Sequence, residues 1–276
     1  MKTKRSIDPS QTYLLRRGFI ASMNKRFNVV KSALRDFFTG DVEDFERANN
    51  ALKITIFRKW LKEQVEKNIL AMTNGINSKS WTSVYITNAY CKGLMRSYGD
   101  VNKAGKVLSG VNWFGGAQNQ FLKDALRITP IISQIELLEM RVVNLLQGVV
   151  DDMLNKMSWV LANSITKGYD FDTIRKELEK IIIRVSKKRA KLIVIAEIVH
   201  AQAEGQLDGL ELLGVDEVDA VVELLTTSKN SVCSICKKLE EGSLKVKDAR
   251  GIIPLHPLCK CAWGIGESAL NLKRKV

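Results

Sequence analysis

The chain has 276 residues, 45% of them hydrophobic, enough to bury one large core or two modest ones, which excludes a disordered tract. Lys and Arg number 43 against 30 Asp and Glu, a net charge of +13 that favours polyanions, nucleic acid first, through counterion release; an acidic protein surface would answer the same charge. No apolar run reaches the length of about 18 residues that crosses a bilayer, and Met1-Lys2-Thr3-Lys4-Arg5-Ser6 lacks the apolar stretch of a signal peptide, so cytosolic synthesis and no membrane segment are expected.

The basic head runs into Asp8-Pro9-Ser10, a turn with Asp8 or Ser10 as cap for a basic amphipathic helix from about Gln11 to Phe38. Its apolar positions are Leu15, Phe19, Met23, Phe27, Val30, Leu34 and Phe37. An acidic patch, Asp41 to Glu46, precedes a second helix over about Ile54 to Met72 carrying Phe57, Trp60, Leu61 and Val65. A third is expected from Trp81 to Tyr98, with Cys91 as a small buried hydrophobe. Trp81, Tyr85 and Tyr90 could stack on bases, but aromatics at helical spacing are more often core.

Glycines 99, 105, 110, 115 and 116 around Trp113 predict an irregular hinge over 99–118. The longest helix follows Thr129-Pro130, from about Ile131 to Thr166, and Gly168 ends it. Asp170 caps a shorter helix to about Val185, and Ser186-Lys187-Lys188-Arg189 starts another that stops at Gly214. Glu197, His200 and Glu204 share one face of that helix, as an acid/base group or, more simply, as surface ion pairs or hydrogen bonds that hold the C-terminal part. Strand-like pattern appears only after Val215, notably Val221 to Thr226.

Four of the five cysteines and one of the two histidines lie in Cys233-Ser234-Ile235-Cys236 and Pro254-Leu255-His256-Pro257-Leu258-Cys259-Lys260-Cys261. A C-x-x-C pair answered by a distant His/Cys pair is the donor pattern of a tetrahedral zinc site. Cys233, Cys236, His256, Cys259 and Cys261 are the candidate ligands, and five donors exceed the usual four, so one is expected to stand outside the coordination sphere. A disulfide pair or a redox centre remain alternatives. A redox C-x-x-C normally opens a helix, whereas Cys233 is expected to follow a strand and the polar turn Ser228-Lys229-Asn230.

From Arg189 onward the order Arg189-Ala190, Ile195-Ala196-Glu197, Ala203-Glu204-Gly205, Gly214-Val215, Glu223, Thr226-Thr227, Cys233-x-x-Cys236, Gly251 and Pro254 to Cys261 resembles the phage Mu F-like family of minor head, or head morphogenesis, proteins. Upstream, Phe57-x-x-Trp60-Leu61, Tyr90-x-x-Gly93 and the stretch around Leu138 and Arg141 resemble the helical body of related tailed-phage proteins. The chain departs from the family pattern at Ala196, at Leu224-Leu225 and at Lys260, which leaves the Cys/His frame whole. The resemblance implies a non-enzymatic, portal-associated minor capsid protein of the virion, assembled in the host cytoplasm and acting in head assembly or DNA ejection. Its partners would be the portal, other head proteins and double-stranded DNA bound without regard to sequence. Some relatives carry appended toxin or ADP-ribosyltransferase domains; the short stretch after Cys261 leads us to expect none here.

These features predict a mainly α protein, an extended helical body with a small C-terminal α+β subdomain stapled by structural Zn²⁺. The expected divisions are 1–98, the hinge 99–118, 119–185 and a C-terminal domain 186–276. Lys2, Lys4, Arg5, Arg16, Arg17, Lys25, Arg26, Lys187, Lys188, Arg189, Lys273, Arg274 and Lys275 are the candidate cations for DNA or a partner. The alternatives are a metal-dependent nuclease or hydrolase using Glu197 and His200 beside the Cys/His site, or a free DNA-binding regulator.

Overall fold

In the computed structural model, residues 7–40, 43–72, 79–109, 117–215, 221–227 and 232–266 are described. The protein is mainly α with a small α+β part at the C-terminal end. Its helices are α1 (Tyr13–Thr39), α2 (Glu43–Arg47), α3 (Asn50–Asn68), α4 (Ser83–Ser109), α5 (Gln118–Ala125), α6 (Thr129–Thr166), α7 (Phe171–Arg184), α8 (Lys191–Leu212) and α9 (Ser234–Glu240). Three short strands, β1 (Val221–Leu225), β2 (Ser243–Lys245) and β3 (Ala262–Ile265), form one antiparallel sheet in the order β2-β1-β3.

Two compact units emerge, each assembled from separated stretches of chain. One comprises Arg17–Thr82 and Met140–Val194, and we call it the aromatic unit; the other comprises Met1–Arg16, Ser83–Glu139 and Ile195–Val276, and we call it the cysteine unit. The expected sequential divisions at 98, 118 and 185 do not coincide with these boundaries. The hinge is also corrected, because α4 continues without a break through residues 99–109, while 110–116 lie outside the described residues. Gly99 has open space around its backbone and Val101 is buried, so the helix tolerates the glycine and gains apolar burial beyond it. α5, for which the sequence offered no clear periodicity, was not anticipated.

In the aromatic unit, α1 buries Phe19, Met23, Phe27, Val30 and Leu34, the stripe its spacing predicts. Asn49 caps α3 by accepting the Leu52 N–H at 2.9 Å, and α3 buries Phe57, Leu61 and Val65. Phe37, Phe38, Phe45, Phe57, Trp60 and Phe171 then meet ring against ring, with Phe37 and Trp60 centroids 4.5 Å apart. Arg35 grips Glu179 through two 2.8 Å hydrogen bonds, a bidentate geometry that fixes α1 against α7. Asp170 caps α7 as expected, accepting the Thr173 N–H at 2.8 Å.

The expected break near Ser186 is absent. α7 passes into α8 through a single π-helical stretch, Val185–Ala190, and the Ser186 hydroxyl donates back to the Ile183 carbonyl at 3.3 Å instead of capping a new helix. The N-terminal cap is corrected too: the helix begins at Tyr13, and the buried Ser10 hydroxyl is shared between Asp8 and Thr12.

In the cysteine unit α4 and α8 cross at glycine. A Cβ on Gly93 would overlap the backbone of Gln202 and Gln206, and one on Gly205 would overlap the backbone of Tyr90. Tyr90-x-x-Gly93 and Glu204-Gly205, far apart in sequence, are thus the two sides of one contact that only absent side chains permit. The crossing is closed by the Tyr90 hydroxyl donating to Asp208. Beside it lies a core of Val199, Ala203, Leu207, Leu210, Val222, Leu224, Ile253 and Trp263, to which Cys236, Cys259 and Cys261 themselves belong.

Candidate metal centre

The cysteine cluster is put together by the sheet and two tight turns. β1 alternates half-buried and buried positions, so Val222 and Leu224 face the core, and Leu224 pairs in register with Trp263 of β3. Thr226 at the end of β1 donates to Glu240 at 2.9 Å, tying α9 to the strand. Cys233 is the N-cap of α9, and its Sγ accepts the Cys236 N–H at 3.4 Å, as a Ser or Asp oxygen would at that position. The C-x-x-C pair therefore follows a strand, as expected, but also opens a helix, while Ser228-Lys229-Asn230 lie outside the described residues.

The second half arrives on residues 249–261. Gly251 adopts φ 71°, the left-handed conformation that glycine tolerates best, and the Ile253–Pro254 peptide is cis. A turn bonds the Cys259 N–H to the His256 carbonyl at 2.9 Å, bringing these two side chains to the same region. Cys259 and Cys261 are buried while Lys260 between them is exposed, the alternation expected of a short extended segment. Its backbone is pinned from the far end of the chain, where the Ser10 N–H donates to the Lys260 carbonyl at 3.0 Å; nothing in the sequence announced that contact.

All five candidate ligands converge. Cys233, Cys236 and His256 have their ligand atoms within 4.8 Å of one another, and so do Cys236, Cys259 and Cys261. Cys236 belongs to both groups, and its Sγ lies 3.4 Å from His256 Nε2. The electrostatics of four neighbouring thiols explain what this arrangement needs. The Cys236 N–H holds the Cys233 thiol below its ordinary value. Hydrogen bonds from Cys261 pull Cys259 down to about 5, while burial pushes Cys236 up to about 12. Cys261 is raised, first by its hydrogen bond to Cys259. Charge on one sulfur thus suppresses charge on its neighbours, and a divalent cation among them removes that conflict by taking all of them as thiolates. Sulfur and imidazole donors, mostly buried and gathered in two triads that share Cys236, fit a soft or borderline metal ion.

Glu197 and His200 join neither metal-competent group among the described residues. Both are buried, and of the readings offered for this face, hydrogen bonds that hold the C-terminal part are the ones seen. His200 Nδ1 lies 2.8 Å from the Ile253 carbonyl, and Glu204 accepts the Gly251 N–H at 2.8 Å. Arg250 adds ion pairs to Asp208 at 2.7 Å, to Glu211 at 2.5 Å and to Glu204 at 3.5 Å. The α8 face therefore holds the loop that leads to His256.

The candidate cations fare unevenly. Arg16 is buried and paired with Asp8 at 2.5 Å, and is removed from the exposed set. Arg26 is half-buried, with its guanidinium 4.3 Å over the Trp81 ring and 2.8 Å from the Asn68 carbonyl. Arg189 is exposed and pairs with Asp152. Arg17, Lys25, Lys187 and Lys188 are exposed, and all four belong to the aromatic unit. Lys2, Lys4, Arg5, Lys273, Arg274 and Lys275 lie outside the described residues. Tyr90 is fully buried, which removes it as a base-stacking group. Among the described residues no helix is long and apolar enough to cross a membrane.

Compared with known protein families, with characterised proteins and with solved structures, the chain gives no match.

Proposed function

We propose that the chain is a minor capsid, or head morphogenesis, protein of a tailed phage or prophage, with a structural Zn²⁺ in its cysteine unit. The observation that carries this is the convergence of Cys233, Cys236, His256, Cys259 and Cys261, the same residues on which the resemblance to the Mu F-like family rests. Zinc is the assignment because four of these five thiol and imidazole donors would give it a closed, redox-silent tetrahedral shell, with the fifth standing outside. On this reading the zinc-stapled unit docks on the portal or another head protein, and the protein travels in the virion after assembly in the host cytoplasm. Exposed Arg17, Lys25, Lys187 and Lys188 give the aromatic unit a positive surface for packaged or outgoing DNA.

The chemistry is binding rather than turnover. Glu197 and His200, the pair a hydrolase would use here, are both buried and stand outside the metal-competent groups of the described residues, and His200 is engaged with the Ile253 carbonyl. A nuclease therefore draws no support from these side chains. The test is quantitative mass spectrometry of DNase-treated, gradient-purified heads and particles. A low fixed ratio to the portal is expected, and absence from both proheads and particles would refute the assignment. DNA binding is expected to be indifferent to sequence and to fall steeply with salt, whereas a regulator would discriminate between sequences.

A further inference from the structure

α8 presents a row of buried polar side chains to a loop, and the loop's other end carries metal ligands. His200, Glu204 and Asp208 follow one another at four-residue intervals, so they lie along one face of the helix. Each meets a different point of residues 250–253: His200 the Ile253 carbonyl, Glu204 the Gly251 N–H, and Asp208 the Arg250 guanidinium. Ile253 is buried between these anchors and the core, and His256 follows three residues later. Asp208 also takes the Tyr90 hydroxyl, so the row is braced by α4 across the glycine crossing.

A short loop that carries a ligand has two ways to present it. It can be ordered by the ion, which then loses affinity to the ordering cost, or it can be held in place beforehand by bonds to the scaffold. The hydrogen bonds from α8 do not involve the ligand atoms, so they are available whether or not an ion is bound. We infer that His200 and Glu204 are positioning residues of the metal centre, holding residues 250–253 so that His256 and Cys259 stand ready for the ion. This rests on the metal reading of the cysteine cluster. His200 is the more informative of the two. Its Nδ1 donates to the backbone carbonyl of buried Ile253, and its replacement leaves the charged pairs of Arg250 in place.

The experiment is a Co²⁺ titration of the full reduced chain, followed by competition with Zn²⁺ and a chelator, alongside urea unfolding of the metal-free protein. His200→Leu keeps the bulk but removes the donor, and His200→Asn restores a donor near the position of Nδ1. His200→Leu is expected to weaken Co²⁺ by about tenfold to a hundredfold with the thiolate charge-transfer band unchanged in shape, as loss of an outer support does elsewhere. His200→Asn is expected to recover most of that loss. Equal affinity in all three proteins, with any difference confined to urea midpoints, overturns the inference and leaves the metal reading standing. A wild-type chain that gives no thiolate-to-cobalt band overturns both. Should His200→Leu fail to fold, His200→Gln, whose amide reaches past Nδ1, carries the same decision: retained affinity overturns the inference and weakened affinity supports it.

Discussion

The aromatic and cysteine units solve the same problem with different materials. In the aromatic unit six large rings interlock and a bidentate pair, Arg35 with Glu179, joins α1 to α7. In the cysteine unit two helices touch backbone to backbone, the sheet has strands of three to five residues, and three cysteine sulfurs share the core with Trp263. Ring packing is a property of the folded chain alone. On the proposed metal reading, a core built around thiols that repel one another's charge is completed by a cation, so the two units should respond differently to almost any perturbation.

Metal removal offers the widest separation. Chelation under reducing conditions, or Cys236→Ser, is expected to expose 232–266 to protease while 43–68 and 140–184 stay protected, since a structural ion can supply on the order of 10 kcal/mol to a small unit. Identical digestion patterns with and without metal would collapse the distinction between the units. Phe57→Ala reverses the roles. It should cost about 3–5 kcal/mol by opening a cavity among the rings, read by urea unfolding of the aromatic near-ultraviolet signal, with Co²⁺ binding unchanged.

Gly205→Ala acts on the cysteine unit by a third route, forcing a methyl into the Tyr90 backbone. A loss of about 1–3 kcal/mol is expected from the displaced helices, and a variant as stable as wild type would show that the crossing is looser than the geometry implies. The smallest effect concerns acid. Arg35 holds the Glu179 carboxyl below its ordinary value of 4.5, with burial opposing. A carboxylate with a depressed folded value stabilises above its unfolded value and loses that contribution as pH falls through the folded one. The aromatic unit should therefore weaken as pH drops below about 4.5, and Glu179→Gln should flatten that part of the pH–stability curve.

Much of the helical order was legible because it is written locally. Asp170 sits where a cap must, Gly168 adopts the left-handed conformation that ends α6, and the three-and-four spacing of α1 from Phe19 to Leu34 is its buried stripe. The donor set was legible for a different reason: cysteines are scarce, so their spacing carries information. What stayed hidden depends on partners distant in sequence. Gly93 and Gly205 each look like a weak point in a helix until they face one another. Ser10 looks like a cap until its N–H finds the Lys260 carbonyl. Arg16 looks like one more cation on a basic helix, but the turn before α1 brings Asp8 to it and closes it off from solvent. Even Ser186, a sound candidate to start a helix, is overruled by continuous hydrogen bonding through a wider turn.

The interleaving of the two units also sets a timetable. A ribosome releases residue 194, the last of the aromatic unit, before most of α8 exists, whereas α4 has been made and must wait for the contacts that cover it, such as Tyr90 with Asp208, 118 residues downstream. The Ser10 to Lys260 bond closes later still, after the last ligand-bearing turn has emerged. The aromatic unit can thus settle on the nascent chain, while the cysteine unit is a late, long-range closure in which α4 is for a time a helix without its partner. Until that closure the cysteines of the late unit stand open on the nascent chain, a state that oxidation could trap.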